Sequence, residues 1–344
     1  MYTLLYGAKK NVGDFLILDR AIKLLEEHRP DRKLNLVKRW LPIDDHIEEI
    51  NNSKAILLCG GPAYQKDFYP GIYPLTEKLS SIKVPIIPFG LGWFSEFANQ
   101  DWDEFNFSNS SYLMIDRIHS SIPLSSTRDY YTEQILRENG FSNTIMTGCP
   151  AWYELNSIKE SFKPVSDIKK VVVTTAQNNV FHPQNMELLR RVHSMFPEAE
   201  KYCVFHRGIL SDHETPRSEE GDLLKIKAVA DELNYQVVDA SYDVKKIDFY
   251  KECDIHFGYR VHAHIYFLSI RKPSFLLQED GRGRGFSKAL NISSDIPAYE
   301  ENALDNFMSL ILNEKENDFS RFLGMEKAFQ AYYQNMRSFI ETLP

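Results

Sequence analysis

Apolar residues along this chain come in short runs, and polar residues break them at a steady interval. Residues 2–7 (YTLLYG) form a compact apolar run closed by glycine. Residues 15–28 (FLILDRAIKLLEEH) then switch to helical spacing, with Leu18, Ala21, Ile22 and Leu25 on one face. Asp14 stands before that run, where an N-cap belongs. Residues 34–39, 54–61, 84–90 and 123–129 repeat the compact apolar pattern, with helical stretches between most of them. The rhythm pauses over residues 154–170, which are polar, contain Pro164 and carry no period, as a linker would. A second series follows, with strands expected at 170–177, 201–208, 235–240, 253–258 and 272–279. Helices are expected at 184–195, 217–233 and 261–270, and one or two more in 316–342. Runs that are apolar throughout, rather than alternating, suit parallel strands covered on both faces. The pattern therefore predicts an α/β protein of two Rossmann-like halves with a cleft between them.

A length of 344 residues suits two such domains, with 43% hydrophobic and 26% charged residues. The expected units are residues 1–160, residues 168–315, and a helical tail, 316–344, packing back on the first. The formal net charge of −8 argues against a nucleic-acid partner, but leaves room for a small anion in a local basic pocket. Cys59, Cys149, Cys203 and Cys253 form no C-x-x-C pair and read as buried thiols of a reducing compartment. With no signal-peptide pattern and no membrane-length apolar run, the expected location is the cytoplasm. Peripheral contact with a membrane surface stays open, and the sequence does not set an oligomeric state.

Open parallel sheets bind ligands beyond the carboxyl ends of their strands, so post-strand loops are where chemistry belongs. Four stand out: KNVGD (10–14), CGGP (59–62), STRDYYTEQILRENG (126–140) and FGYRVHAHIYFLSIRKPSF (257–275). In the last two, Arg128 and Arg260 mark strand-to-helix junctions. Such junctions offer unpaired N–H groups and the positive end of a helix dipole, and an arginine adds a planar fork for phosphate or carboxylate. Residues 260–284 hold five basic residues against two acidic, an excess of three in an acidic chain. Simpler readings compete at each position: a surface arginine, a packed His262 or His264, a tight turn at Gly60 and Gly61, an N-cap at Asp14. GRGRGF (281–286) lacks the strand-G-x-G-x-x-G-helix frame of a dinucleotide site. There is no Walker A sequence, no metal-ligand spacing among the scattered His182, His193, His206 and His213, and no nucleophile elbow. Neither a metal nor a cofactor is expected.

Taken in order, these loops resemble the polysaccharide pyruvyl transferase family across nearly the whole chain. The family's N-x-G-D is Asn11, Gly13 and Asp14; its glycine-rich turn is Gly60 and Gly61, with Pro62 in third place; its G-x-G segment is FGLGW (89–93). Its S-x-R-D is STRD (126–129), its strand-end C-P-A is GCPA (148–151), and its G-x-R-x-H is Gly258, Arg260 and His262, followed by an apolar helix and Pro273. The resemblance implies a GT-B-like pairing of the two domains, with the acceptor on the N-terminal side and the donor on the C-terminal side. It implies transfer of a pyruvyl group from phosphoenolpyruvate to a sugar or lipid-linked oligosaccharide, closing a cyclic ketal. It associates Arg128, Arg260 and His262 with phosphoenolpyruvate and places a further basic residue, Arg284 or Arg282, after the last strand of the second domain. On this view Asn11, Gly60 and Gly61 line the substrate site. His262 is the general acid or base, because histidine titrates near neutrality, and Asp14 is a base or acceptor ligand. Two other readings share the scaffold: a GT-B glycosyltransferase using a nucleotide sugar, and a non-catalytic sugar- or anion-binding protein.

Overall fold

The computed structural model describes residues 1–95, 102–212, 220–292 and 295–344. Its first half contains strands β1 (Tyr2–Tyr6), β2 (Leu34–Lys38), β3 (Ile56–Cys59), β4 (Pro62–Tyr64), β5 (Ile86–Phe89), β6 (Gly92–Trp93), β7 (Ser125–Thr127) and β8 (Thr144–Met146). Helices α1 (Val12–His28), α2 (Ile47–Asn51), α3 (Asn109–Ser121) and α4 (Tyr130–Glu138) connect them. The main sheet is parallel, in the order β2-β1-β3-β5. A parallel bridge from Leu91 to Thr127 joins it to the β7–β8 pair, while β4 and β6 pair separately.

The second half contains β9 (Lys170–Thr174), β10 (Glu200–Phe205), β11 (Gln236–Asp239), β12 (Ile255–Gly258), β13 (Ser274–Gln278) and β14 (Ile296–Pro297), with α5 (His182–Met195), α6 (Glu220–Glu232), α7 (Val261–Ser269), α8 (Gly281–Leu290) and α9 (Ala303–Glu316). All its strand pairings are parallel, in the order β11-β10-β9-β12-β13-β14. Counted within the domain, that is the Rossmann order 3-2-1-4-5-6, whose direction of winding reverses between β9 and β12. In the first sheet it reverses between β1 and β3. The molecule is thus α/β, two Rossmann-like domains in a GT-B-like arrangement with a central cleft.

Central strands such as β3 and β13 are buried along their whole length, as their unbroken apolar runs require. Helix α7 is buried at every residue, its two histidines included, as a mostly apolar helix enclosed on all sides requires. The final helix, α10 (Glu326–Glu341), returns to the first domain: Asn335 donates to the Met146 carbonyl at 3.1 Å, and Tyr333 meets His28 at 2.9 Å.

Two local readings change, both at α1. Helix α1 begins at Val12 and is capped by Asn11, whose side chain accepts from Gly13 N–H; Asp14 lies in its first turn. The buried face of α1 carries Leu16, Ile17, Ala21, Leu24 and Leu25, while Leu18 and Ile22 are only partly buried. Helix α6 is described from Glu220, so the expected start at residue 217 lies outside the described residues, as does His213. GRGRGF forms the start of α8. Its glycines permit close packing: a Cβ on Gly281 would strike Ser95, and one on Gly285 would lie 2.8 Å from Asp129 Cγ. Both neighbours belong to the first domain, so α8 is a domain-contact helix. The thiols of Cys59, Cys149, Cys203 and Cys253 are all buried and unbridged.

Candidate functional site

In the second domain β12 ends at Gly258 with φ at +134°. A side chain there would collide with the Thr174 backbone. Glycine lets the chain pass beside β9, and the next turn is fixed by Arg260 N–H donating to Thr174 Oγ1 at 3.1 Å. Arg260 directly precedes α7, and its Nη1 donates to Gln177 Oε1 at 2.5 Å. Gln177 follows β9, so this contact spans the crevice where the strand order reverses.

Glu279 and Asp280 follow β13. Glu279 Oε1 accepts from the N–H groups of both Gln177 (2.7 Å) and Asn178 (2.9 Å). Burial pushes its carboxyl up to about 7; Arg260 and the two N–H groups oppose the rise, and Asp280 adds to it. Asp280 caps α8 and grips Arg282 through Nε (3.0 Å to each oxygen) and Nη2 (2.6 Å). Burial alone would lower the affinity of Arg282 for its proton, but Asp280, Asp14 and Glu279 together raise it.

The facing wall comes from the first domain. Asn11 caps α1 and donates to Asp14 Oδ2 at 3.3 Å. Burial raises the Asp14 carboxyl above its ordinary range against the pull of Arg39, Arg282, Asn11 and Arg207. Lys10 Nζ reaches across the domain boundary to Asp212 (2.9 Å) and the Leu210 carbonyl (2.8 Å). After β3, Gly60 and Gly61 turn with φ of +54° and +83°, and a Cβ on Gly60 would collide with Ile17. Between the walls lies a cavity of about 540 Å³. Asn11, Asp14, Lys9, Lys10 and Arg39 line it from the first domain; Gln177, Arg207, Arg260, Glu279, Asp280 and Arg282 line it from the second.

The expected residues divide between this cavity and the wall beneath it. Arg260, Asp14 and Asn11 line the cavity. His262 and Arg128 line a much smaller void below, together with Gly61 and Arg282. Arg128 is drawn back because Asp129 (Nε to Oδ2, 2.9 Å) and the Trp93 carbonyl (2.6 Å) hold its guanidinium. Burial, with Arg282, Arg128 and Arg260 around it, depresses the His262 imidazole well below the usual histidine range, so it is neutral at pH 7. Arg284 does not line the cavity, and its guanidinium lies 5.2 Å from the centre of the Tyr131 ring. Arg282, two residues earlier on α8, faces the site instead, because the Asp280 cap turns it inward. His264 is a packing residue, bonded to Ser274 (2.8 Å) and facing Asp295 (3.3 Å).

Sequence reasoning missed Glu279, Asp280, Arg39 and Gln177 as site residues. All four follow strands, so the rule that flagged Arg260 could have found them. Among the described residues no cluster of three or more His, Cys, Asp or Glu side chains suits a metal ion, and no helix is long and apolar enough to cross a membrane.

The family model for polysaccharide pyruvyl transferase matches residues 11–281, from the cap of α1 to the start of α8 and so across both walls. The chain belongs to the polysaccharide pyruvyl transferase family. A search of curated proteins gives no significant match. Among solved structures, the chain is similar to MnaA of S. aureus with UDP, at 12% identity and TM-score 0.55, over 98% of this chain and 93% of that one. It is also similar to UDP-GlcNAc 2-epimerase of Methanocaldococcus jannaschii in complex with UDP-GlcNAc and UDP (10%, 0.52, covering 98% and 99%). The UDP-GlcNAc 2-epimerase of Neisseria meningitidis bound to UDP-GlcNAc gives 10%, 0.51, 98% and 100%. At these identities the likeness establishes the shared fold.

Proposed function

We propose that the protein moves a pyruvyl group from phosphoenolpyruvate to a sugar of a cell-surface polysaccharide or its precursor, closing a cyclic ketal without a metal ion. The observation that carries this reading is the pairing of cations and carboxylates where both domains open onto one cavity. Arg260 and Arg282 offer forks to the donor's carboxylate and phosphate. Their positions are set by Gln177 and Asp280, so little reorganisation accompanies binding. Arg128 adds positive charge from beneath.

The reaction forms two C–O bonds at C2 of the donor and breaks the bond from C2 to the phosphate oxygen. In this reading Asp14, which lines the opposite wall, accepts a proton from an attacking hydroxyl, and its raised affinity for protons supports that role. His262 is neutral because burial, and then three guanidiniums, disfavour its charged form. A trianionic donor offsets that repulsion, so His262 gains basicity only when substrate is bound. The acceptor belongs to the first-domain side.

The test is a donor screen by mass spectrometry. Purified protein is offered phosphoenolpyruvate with β-galactosyl, mannosyl and N-acetylhexosamine acceptors, lipid-linked forms included. A product heavier by one pyruvyl ketal, with release of inorganic phosphate, is expected. Turnover of a nucleotide sugar without use of phosphoenolpyruvate would instead identify a glycosyltransferase.

A further inference from the structure

We propose that Glu279 is the acid that delivers the proton to the methylene carbon of the enol ester donor. The proposal rests on the pyruvyl-transfer reading and adds the proton source to it. Protonation of that carbon starts the reaction. The group responsible has to lie among the guanidiniums that hold the same three-carbon unit, and Glu279 lines the cavity with Arg260 and Arg282.

Its hydrogen bonds fix where its proton resides. Oε1 receives two backbone N–H groups, from Gln177 and Asn178. An oxygen that accepts two donors has no lone pair left for a proton, so the acid proton belongs on Oε2. The charged and titratable groups around the carboxyl are Arg260, Asp280, Arg282 and Tyr259. Across the cavity the first domain presents Asp14 and Arg39. Burial keeps the carboxyl protonated up to about pH 7, so the acid form persists to near neutrality.

The other acids and imidazoles of the site are less suited. Both oxygens of Asp280 are engaged by Arg282. Asp14 stands on the opposite wall. His262 lines the lower void and is deprotonated at neutral pH.

In the step proposed, the π pair of the donor's C2–C3 bond takes the proton from Glu279, giving a methyl group and an electron-poor C2. An acceptor hydroxyl adds to C2, phosphate leaves with its bonding pair, and the second hydroxyl closes the ketal. Of the two hydroxyl protons released, one restores Glu279 and the other leaves on phosphate. No oxidant or reductant is needed.

The experiment compares the full-length protein with its Glu279→Gln variant. Phosphoenolpyruvate binding is read by calorimetry, and turnover with the acceptor from the screen is read from pH 5.5 to 9. Glutamine keeps an oxygen for both N–H groups but has no acid proton. We expect donor affinity within roughly threefold of wild type and turnover lower by about 100-fold or more, the range of a positioned general acid. In wild type, kcat should fall on the alkaline side of its profile, and Glu279→Asp should move that limb. Turnover of Glu279→Gln within a few-fold of wild type would overturn the proposal. If Glu279→Gln loses donor binding or folding, the Glu279→Asp limb decides: a shifted limb supports the proposal and an unshifted one overturns it. Wild-type protein that neither binds nor turns over phosphoenolpyruvate would overturn the functional reading itself, and the proposal with it.

Discussion

The two walls of the cavity are built on opposite principles. On the second-domain wall, three charged groups are held by their own domain: Arg260 by Gln177, Arg282 by Asp280, Glu279 by two backbone N–H groups. On the first-domain wall, Asp14 has Asn11 and Arg39 of its own domain beside it but also feels Arg282 and Arg207 from across the cleft, and Lys10 is held by Asp212 and Leu210 of the other domain. The three second-domain groups are therefore organised within one domain, while Lys10 reaches its present partners only when the domains meet. Under the proposed function the first design suits a donor site, because fixed dipoles stabilise developing charge without reorganising, and the second suits an acceptor side.

The most damaging way to break this contrast is at Arg282, which faces Asp14, Glu279 and Asp280 together. Arg282→Ala removes a guanidinium that ties the walls electrostatically. Its kcat/KM for phosphoenolpyruvate should fall by roughly 100- to 1,000-fold, the scale seen when a charge-stabilising donor is lost. A change under tenfold in steady-state kinetics would contradict its central place. His262→Ala should follow, with turnover reduced by about 100-fold and donor affinity changed much less, since a proton-transfer group acts mainly in the transition state. Unchanged kcat would remove His262 from the mechanism.

Arg260→Lys keeps the charge but loses the fork that also meets Gln177. A loss of about tenfold or more in donor affinity is expected by calorimetry, equivalent to about 1.4 kcal/mol. Lys10→Ala touches only the wall that depends on domain contact. It should raise the KM for acceptor by a few-fold at most, on the scale of a partly exposed ion pair, and leave donor affinity unchanged. If donor affinity falls instead, the division of the walls is wrong.

Acid stability tests the same contrast without turnover. Burial, with positive neighbours, depresses His206, His256 and His262, all in the second domain, well below the usual range. Unfolding frees each to take up a proton below about pH 6.5. Through these three groups the unfolded chain then binds more protons than the folded one, so their contribution is full above that pH and is lost as pH falls, partly offset by Glu279 and Asp14, whose raised carboxyls take up protons first in the folded chain. Thermal unfolding should shift down by several degrees between pH 7 and pH 5, at roughly 2–4 °C per kcal/mol for a domain of this size. Hydrogen exchange should show the second domain opening first. The smallest expected effect is that of chelation: after dialysis against EDTA, transfer should proceed unchanged, while added phosphate or sulfate should inhibit by occupying the donor pocket. Complete loss in EDTA with rescue by magnesium would count against stabilisation by arginine alone.

Much of the architecture was legible in the residue order. Largely apolar runs marked β1, β3, β5 and β9, because strands buried on both faces need not alternate. The strand-to-helix junction at Arg260 followed from Gly258 and the apolar helix after it, and Asn11, Gly13 and Asp14 stood out in the loop that opens α1. These are local consequences of backbone freedom and periodicity, which a short stretch of chain contains. What the order of residues did not determine was which cations face one another. Arg282 and Arg284 are equivalent by spacing; only the Asp280 cap and the packing of α8 on the first domain separate them. Arg128 looked like a cavity residue until Asp129 and Trp93 were seen to hold it in the wall beneath. Glu279 read as one acid in a basic stretch, and its character comes from burial and from N–H groups a hundred residues earlier in the chain. Burial, electrostatic neighbours and cross-domain contacts are properties of the closed tertiary structure, because they depend on residues that the chain brings together only by folding.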